Sequence, residues 1–232
     1  MIGAMADQKT PHDLPDVSGL TVAVLGGTGD QGRGLARRLA MAGTEVIIGS
    51  RSAERAQAAA EGLDTGPAVR GADNAEAARA ADVVIVAVPW EGHRELLVSL
   101  EDALADKIVV DCVNPLGFDK KGPYALPVEE GSAAQQAEAV LPRSRVTAAF
   151  HHVSAVVLLD PEVDEVDLDV LVLGDDREAT DIVRALAARI SGVRGIYGGR
   201  LRNAHQVEAF TANLIAINRR YKAHAGLRIT DV

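Results

Sequence analysis

The chain predicts an α/β fold: a doubly wound, mainly parallel sheet of the Rossmann type with a small C-terminal helical domain. Three observations carry that expectation. Short apolar runs alternate with helical patterns from Thr21 onward, which implies a parallel sheet with helical crossovers. Val83-Val84-Ile85-Val86-Ala87-Val88 is apolar without a break, as in a strand buried on both faces. Gly27-Thr28-Gly29-Asp30-Gln31-Gly32 lies where the first apolar run passes into the first helical pattern, the context that gives a Gly-x-Gly-x-x-Gly its meaning.

The elements follow in order. Residues 22–25 read as a strand, 33–42 as a helix, 45–48 as a strand and 53–61 as a helix. A short strand near Ala68-Val69 precedes an Ala-rich helix over 75–80, then come the strand from Val83, a helix over 90–104 and a strand over 108–110. Residues 114–131, with Pro115, Gly117, Gly122, Pro123 and Pro127, read as a long irregular loop, a feature usually tied to function. Beyond it a helix is expected over 132–141, strands over 146–151 and 169–173, and helices over 180–190 and 203–225. The division expected is a mobile arm over 1–19, a dinucleotide-binding domain over 20–155 and a small domain over 156–232.

Size and composition bound the function. At 232 residues the chain can bury one sizeable α/β core. Aromatics are only 3%, so that core must be built from Ala, Val, Leu and Ile. The net charge of −9, with no basic stripe, argues against nucleic acid. Cys112 is the single cysteine, which excludes an internal disulfide and fits a reducing compartment. No signal sequence or membrane-length apolar run is present, so a cytoplasmic location is expected.

The glycine motif suits a pyrophosphate. A tight turn needs a residue free to adopt positive φ, and phosphates need backbone without side chains in the way. The following helix offers free N–H groups and a partial positive charge. Asp30 is awkward in such a loop, and its carboxylate is expected to face solvent or cap the helix. About twenty residues past the glycines, an NAD-binding unit places an acidic residue on the ribose. Gly49-Ser50-Arg51-Ser52 and Arg55 stand there instead. A hydroxyl and two guanidinium groups suit a 2′-phosphate, so the expected nucleotide is NADP.

Ligands in open α/β sheets bind beyond the carboxyl ends of the strands. Those ends are Val88-Pro89-Trp90, Val113-Asn114-Pro115 and His151-His152-Val153-Ser154-Ala155. Pro89, Trp90 and Ala155 suit the flanks of flat rings, and Asn114 and the histidines supply polar contacts. Neighbouring histidines on a strand point to opposite faces, so one is expected in the cleft and the other packed, and no shared metal site follows. Cys112 reads as a buried thiol, because no cationic setting surrounds it. Glu91 and His93 read as a solvated helix face. No Tyr-x-x-x-Lys pair or other proton-relay set appears, and hydride transfer between two bound cofactors needs none.

Leu25-Gly26-Gly27-Thr28-Gly29, Ile48-Gly49-Ser50-Arg51, Ala87-Val88-Pro89-Trp90 and the stretch 148–155 together resemble the NADPH-dependent coenzyme F420 reductases, or F420H2:NADP oxidoreductases. The stretch from Asp111 to Gly122 resembles the actinobacterial form in particular. The resemblance runs from about Thr21 to the C-terminus. His152 and Ser154 stand where archaeal members carry Thr and Pro. It implies reversible hydride transfer between nicotinamide C4 and deazaflavin C5, with NADP(H) and coenzyme F420 as the reacting pair and no catalytic side chain or metal. It places Thr28, Gly29, Asp30 and Gln31 on the pyrophosphate, and Ser50, Arg51 and Arg55 on the 2′-phosphate. Trp90, Asn114 and Ala155 would line the nicotinamide, with His151 and the loop after Asn114 near the deazaflavin. It also implies a homodimer, which matches an apolar 3-4-3-4 seam of Val207, Phe210, Leu214, Ile217 and Tyr221. Three other readings compete: an NADP-dependent reductase of a small imine or carbonyl, a non-enzymatic NADPH sensor, and metal-ion reduction as in related ferric reductases.

Overall fold

Alternation along the first strand sets the layered build. In β1 (Thr21–Leu25) Val22 and Val24 join one hydrophobic cluster and Ala23 and Leu25 another. All four are fully buried, so this strand must lie inside a sheet covered on both faces. The computed structural model, describing residues 14–63, 65 and 68–232, shows that sheet. After β1 come α1 (Asp30–Met41), β2 (Glu45–Ser50), α2 (Ala53–Glu61), β3 (Val69–Asp73), α3 (Asn74–Ala80) and β4 (Val83–Val86). A 3₁₀ turn over Trp90–Gly92 leads into α4 (His93–Leu104) and β5 (Ile108–Asp111). A hairpin, β6 (Leu116–Asp119) and β7 (Gly122–Ala125), precedes α5 (Ala133–Val140) and β8 (Arg145–Ala148). The chain ends with α6 (Ala155–Leu159), β9 (Leu168–Gly174), α7 (Arg177–Arg189), β10 (Val193–Gly199) and α8 (Ala204–Tyr221).

Eight strands form one sheet in the order β10-β9-β8-β5-β4-β1-β2-β3. Every pairing is parallel except β8 with β9. The order reverses between β1 and β4, and that switch point leaves a crevice beyond the strand ends. One face is covered by α1, α2, α6 and α7, the other by α3, α4, α5 and the start of α8. No helix among the described residues is long and apolar enough to cross a membrane.

Several elements differ from their expected form. The segment 114–131 holds the β6–β7 hairpin, whose turn is closed by Asp119 Oδ1 accepting from the Lys121 and Gly122 amides. The C-terminal part carries β10 beside the expected strand at β9. Its glycine-rich β10 escapes a pattern search, because Gly195 lies so close to Arg184 of α7 that a Cβ would stand 2.4 Å from its carbonyl oxygen. Of the expected N-terminal arm, residues 1–13 lie outside the described residues, and Val17 is buried in the core.

One buried charge ties the sheet to the cleft wall. Arg38 of α1 is only 4% exposed. Its guanidinium donates to the carbonyls of Leu158 (2.8 Å), Val163 (2.6 Å), Val157 (2.8 Å) and Asp160 (3.1 Å). Those oxygens belong to the end of α6 and the loop after it, where helical carbonyls lack backbone partners. Gly34 completes the contact, since a Cβ there would lie 2.6 Å from Leu158 Cβ.

Candidate cofactor cleft

The glycine loop divides its tasks among several residues. Positive φ falls on Gly26 (φ 73°), one residue before the motif. Any Cβ there would press on the Ala87 carbonyl oxygen at 2.6 Å. Gly27 and Gly32 allow close approach of strand and helix, since a Cβ on Gly32 would lie 2.7 Å from Gly27 Cα. Gly29 is different: a Cβ on it would meet no protein atom nearer than 3.6 Å. The room above it suits a phosphate. Helices α2, α3, α5 and α7 have a side-chain cap from Ser52, Asp73, Ser132 or Asp176, whereas α1, preceded by Gly29, has none, like α4, α6 and α8. Its first N–H groups are available to an anion. Asp30 points to solvent, its side chain 80% exposed and 4.0 Å from Arg33.

At the end of β2, Ser50 is buried while Arg51 and Arg55 are exposed. Ser52 Oγ accepts from the Arg55 amide at 3.3 Å and fixes the start of α2 between the two arginines in sequence. Neither arginine joins an ion pair among the described residues, so both are free for an anion.

Beyond the switch point lies a cleft of about 370 Å³. Of the residues expected there, Gln31, Val88, Pro89, Trp90, Asn114 and His151 line it. Ala155 opens α6 instead, and Ser154 just before it faces the cleft. Ser50, Arg51 and Arg55 stand apart, at the end of β2. The residues not anticipated come from α8 and the tail after it: Thr211, Leu214, Ile215, Asn218 and Ala225. Thr211 Oγ1 lies 3.1 Å from Asn114 Oδ1 and 3.3 Å from the His151 carbonyl oxygen, to which Asn114 Nδ2 also donates (3.3 Å). Thr211 and Asn218 were the available signal, within a helix whose apolar seam reads as a packing or subunit face.

Both histidines line the cleft, contrary to the strand-based expectation. β8 ends at Ala148, and the chain turns through Phe150 with φ 65°. This left-handed conformation costs roughly 1–2 kcal/mol for a residue with a Cβ. The buried Phe150 ring and the Gln31 amide, which donates to the Phe150 carbonyl at 3.3 Å, hold it. His152 Nε2 donates to the Val207 carbonyl at 2.6 Å, and its ring meets Phe210 edge-on at 5.6 Å. His151 is 5% exposed and neither ring nitrogen has a partner. Burial, with His152 nearby, pushes its pKa down to about 3.

That depression has a sign. A histidine kept neutral in the fold contributes stability above its unfolded value, near 6.5, which is lost as pH falls toward 3. His151→Asn, which cannot titrate, is therefore expected to lose less melting temperature than the wild type on acidification from about pH 7 to about pH 5. Equal losses in thermal melts at the two pH values would contradict this.

His93 is fully buried, not solvated: α4 turns it inward with Leu97, Leu100 and Leu104. Cys112 is buried with its thiol donating to the Val86 carbonyl at 3.0 Å, and burial pushes its pKa well up. Such a setting disfavours the thiolate. No group of three or more His, Cys, Asp or Glu among the described residues is placed to hold a metal ion.

Sheet order, switch point and glycine loop define a Rossmann-type nucleotide-binding protein. Comparison with known proteins narrows this. The family model "NADP oxidoreductase coenzyme F420-dependent" matches residues 21–115. The F420-dependent NADP reductase of Methanothermobacter thermautotrophicus is 44% identical over 225 residues, covering 92% of this chain and 96% of that protein. That of Methanocaldococcus jannaschii is 40% identical, covering 92% and 99%. A crystal structure from Arthrobacter sp. FB24, described as a candidate F420-dependent NADP-reductase, superposes with a TM-score of 0.78 at 29% identity, covering 91% of this chain and all of that one. The chain belongs to the family of F420-dependent NADP reductases.

Proposed function

We propose that this protein catalyses reversible hydride transfer between NADP(H) and coenzyme F420 in the cleft beyond the switch point. When bound, the cofactors supply the chemistry, a hydride passing between nicotinamide C4 and deazaflavin C5. The chain's part is to hold and dry the rings. Thr28, Gly29, Asp30, Gln31 and the start of α1 hold the pyrophosphate, and Ser50, Arg51 and Arg55 the 2′-phosphate. Val88, Pro89, Trp90 and Asn114 flank the nicotinamide, with Ala155 at its margin. His151 and the loop after Asn114 take the deazaflavin.

One observation carries this assignment: a cleft walled by apolar Val88, Pro89 and Trp90 also gathers Asn114, Thr211 and His151, a buried ring whose two nitrogens have no partner. Such groups call for a polar-edged planar ligand. A neutral His151 also makes a weak proton donor, which disfavours reduction of a small imine or carbonyl. The direct test mixes purified protein, NADPH and F420 and follows the visible deazaflavin absorbance. Enzyme-dependent bleaching is expected, and its absence would refute the proposal.

The same reading gives a dinucleotide-binding part up to residue 155 and a smaller part after it. It also places the enzyme in the cytoplasm, in keeping with its single reduced cysteine, and makes it a homodimer. Along α8, Val207 and Leu214 are buried, but Ile217 and Phe210 are each 38% exposed and Tyr221 is 73% exposed. With Phe118 and Tyr124 of the hairpin also exposed, this apolar surface suits a second copy. Glu at both Ile217 and Tyr221 is expected to give monomers in sedimentation velocity. A soluble, fully dimeric double variant would contradict that arrangement.

A further inference from the structure

Behind the cleft lies a polar cluster that the proposed chemistry does not use. His93, at the start of α4, and Asp111, at the end of β5, are each fully buried. His93 Nε2 lies 2.5 Å from Asp111 Oδ2, and Nδ1 lies 3.0 Å from Gln136 Oε1 of α5. The orientation of the Gln136 amide is settled by its other end, where Nε2 donates to Glu130 Oε2 at 3.2 Å. Glu130 is in turn paired with Arg94 at 2.5 Å. The amide therefore presents oxygen to His93. Both ring nitrogens face acceptors, and only the imidazolium carries two N–H groups to satisfy them.

The pair touches two cleft walls. Asp111 uses its second oxygen, Oδ1, to accept from the Val113 amide at 3.0 Å. That bond shapes the turn carrying Asn114 into the cleft. On the other side the His93 ring lies 5.6 Å from the Trp90 ring, inclined by 31°. Trp90 and Asn114 both line the cleft, on the separate strand ends of β4 and β5.

We propose that His93, held as an imidazolium between Asp111 and Gln136, is a positioning residue that sets Trp90 and Asn114 for the ring they flank. This rests on the hydride-transfer reading of the cleft. His93 never reaches the reacting atoms, and its effect passes through the two walls. A misplacement of about 1 Å at such walls can cost up to a hundredfold in rate. The groups facing the ring are Asp111 from β5, Gln136 from α5 and Glu208 from α8, with Glu130 and Arg94 beyond Gln136. Burial alone would push the pKa of His93 down, but attraction to Asp111, with Glu208 behind it, turns the balance upward. Glu208, which accepts from the Ala133 and Ala134 amides, is itself raised to about 7 by burial and by Asp111.

The test uses the full chain and its only tryptophan, Trp90. His93→Gln keeps a donor but not the charge. Its turnover at saturating NADPH and F420 is expected to fall about tenfold or more, while the NADPH Michaelis constant moves less than about threefold. Asp111→Asn is expected to lose as much, and the double variant no more than either single one. Leu100→Ala, a buried change elsewhere in α4, lowers stability without that loss of turnover.

An imidazolium whose ring lies 5.6 Å from the indole is expected to quench it. Trp90 emission is therefore expected to rise with pH, at a midpoint above the ordinary histidine value of about 6.5, and to do so in Glu208→Gln as well. A His93→Gln enzyme no slower than Leu100→Ala would overturn the proposal. So would native emission without that titration, or its disappearance in Glu208→Gln. Native protein that bound NADPH but never reduced F420 would instead refute the proposed function, and the emission titration would still judge His93.

Discussion

Replacing Arg51 and Arg55 together with alanine is expected to raise the NADP Michaelis constant roughly a hundredfold and to leave NAD kinetics nearly unchanged. Hydrogen bonds to charged groups are worth about 1.5–3 kcal/mol each, and both guanidinium groups are exposed to screening. Taking the low end for each gives about 3 kcal/mol, which is roughly a factor of a hundred. Neither side chain has a partner to lose among the described residues, so stability should hold. The Ser52 cap remains, and α2 keeps its start. Steady-state kinetics with both nucleotides is the check. An equal loss with NAD would mean that the arginines serve the shared part of the nucleotide, and the 2′-phosphate assignment would fall.

Arg38→Leu is expected to be among the most destabilising single changes in the chain. It removes a buried charge that satisfies four carbonyl oxygens, one of them in a fully buried hydrogen bond and three in half-buried ones. Leaving buried or half-buried acceptors unpaired costs about 1–3 kcal/mol each where water cannot replace the donor, so a total loss of about 3–5 kcal/mol is expected. At roughly 2–4 °C per kcal/mol for a chain of this size, the melting temperature should fall by about 6–20 °C. Because α6 follows Ser154, the loss should also loosen the cleft edge. A variant melting within about 2 °C of the wild type would show that the carbonyls find other partners.

Much of the fold was legible, and the reasons are local. Val22, Val24, Ala23 and Leu25 announce a two-faced strand by being apolar throughout, and the glycine motif announces the turn after it. The β6–β7 hairpin was hidden by Gly117 and Pro123, which read as breaks. In the fold, Gly117 makes room for the Tyr124 ring, which a Cβ would meet at 2.5 Å. The buried role of His93 was present in its spacing from Leu97, Leu100 and Leu104, but a histidine beside Glu91 and Arg94 reads as surface. Its partners Asp111 and Gln136 come from β5 and α5, a proximity that only the tertiary fold creates. The same holds for Thr211 against Asn114, which lies 97 residues away in sequence. Phe150 defeated the strand rule because nothing in a phenylalanine signals positive φ.

In the proposed reaction the hydride passes directly between the two cofactors in the His151 cleft. Single-turnover reduction of F420 by NADPH deuterated at nicotinamide C4 tests it most directly. The label is expected at the deazaflavin C5, without exchange into solvent. Deuterium recovered in water, or NADPH left unoxidised by the F420-containing mixture, would contradict it.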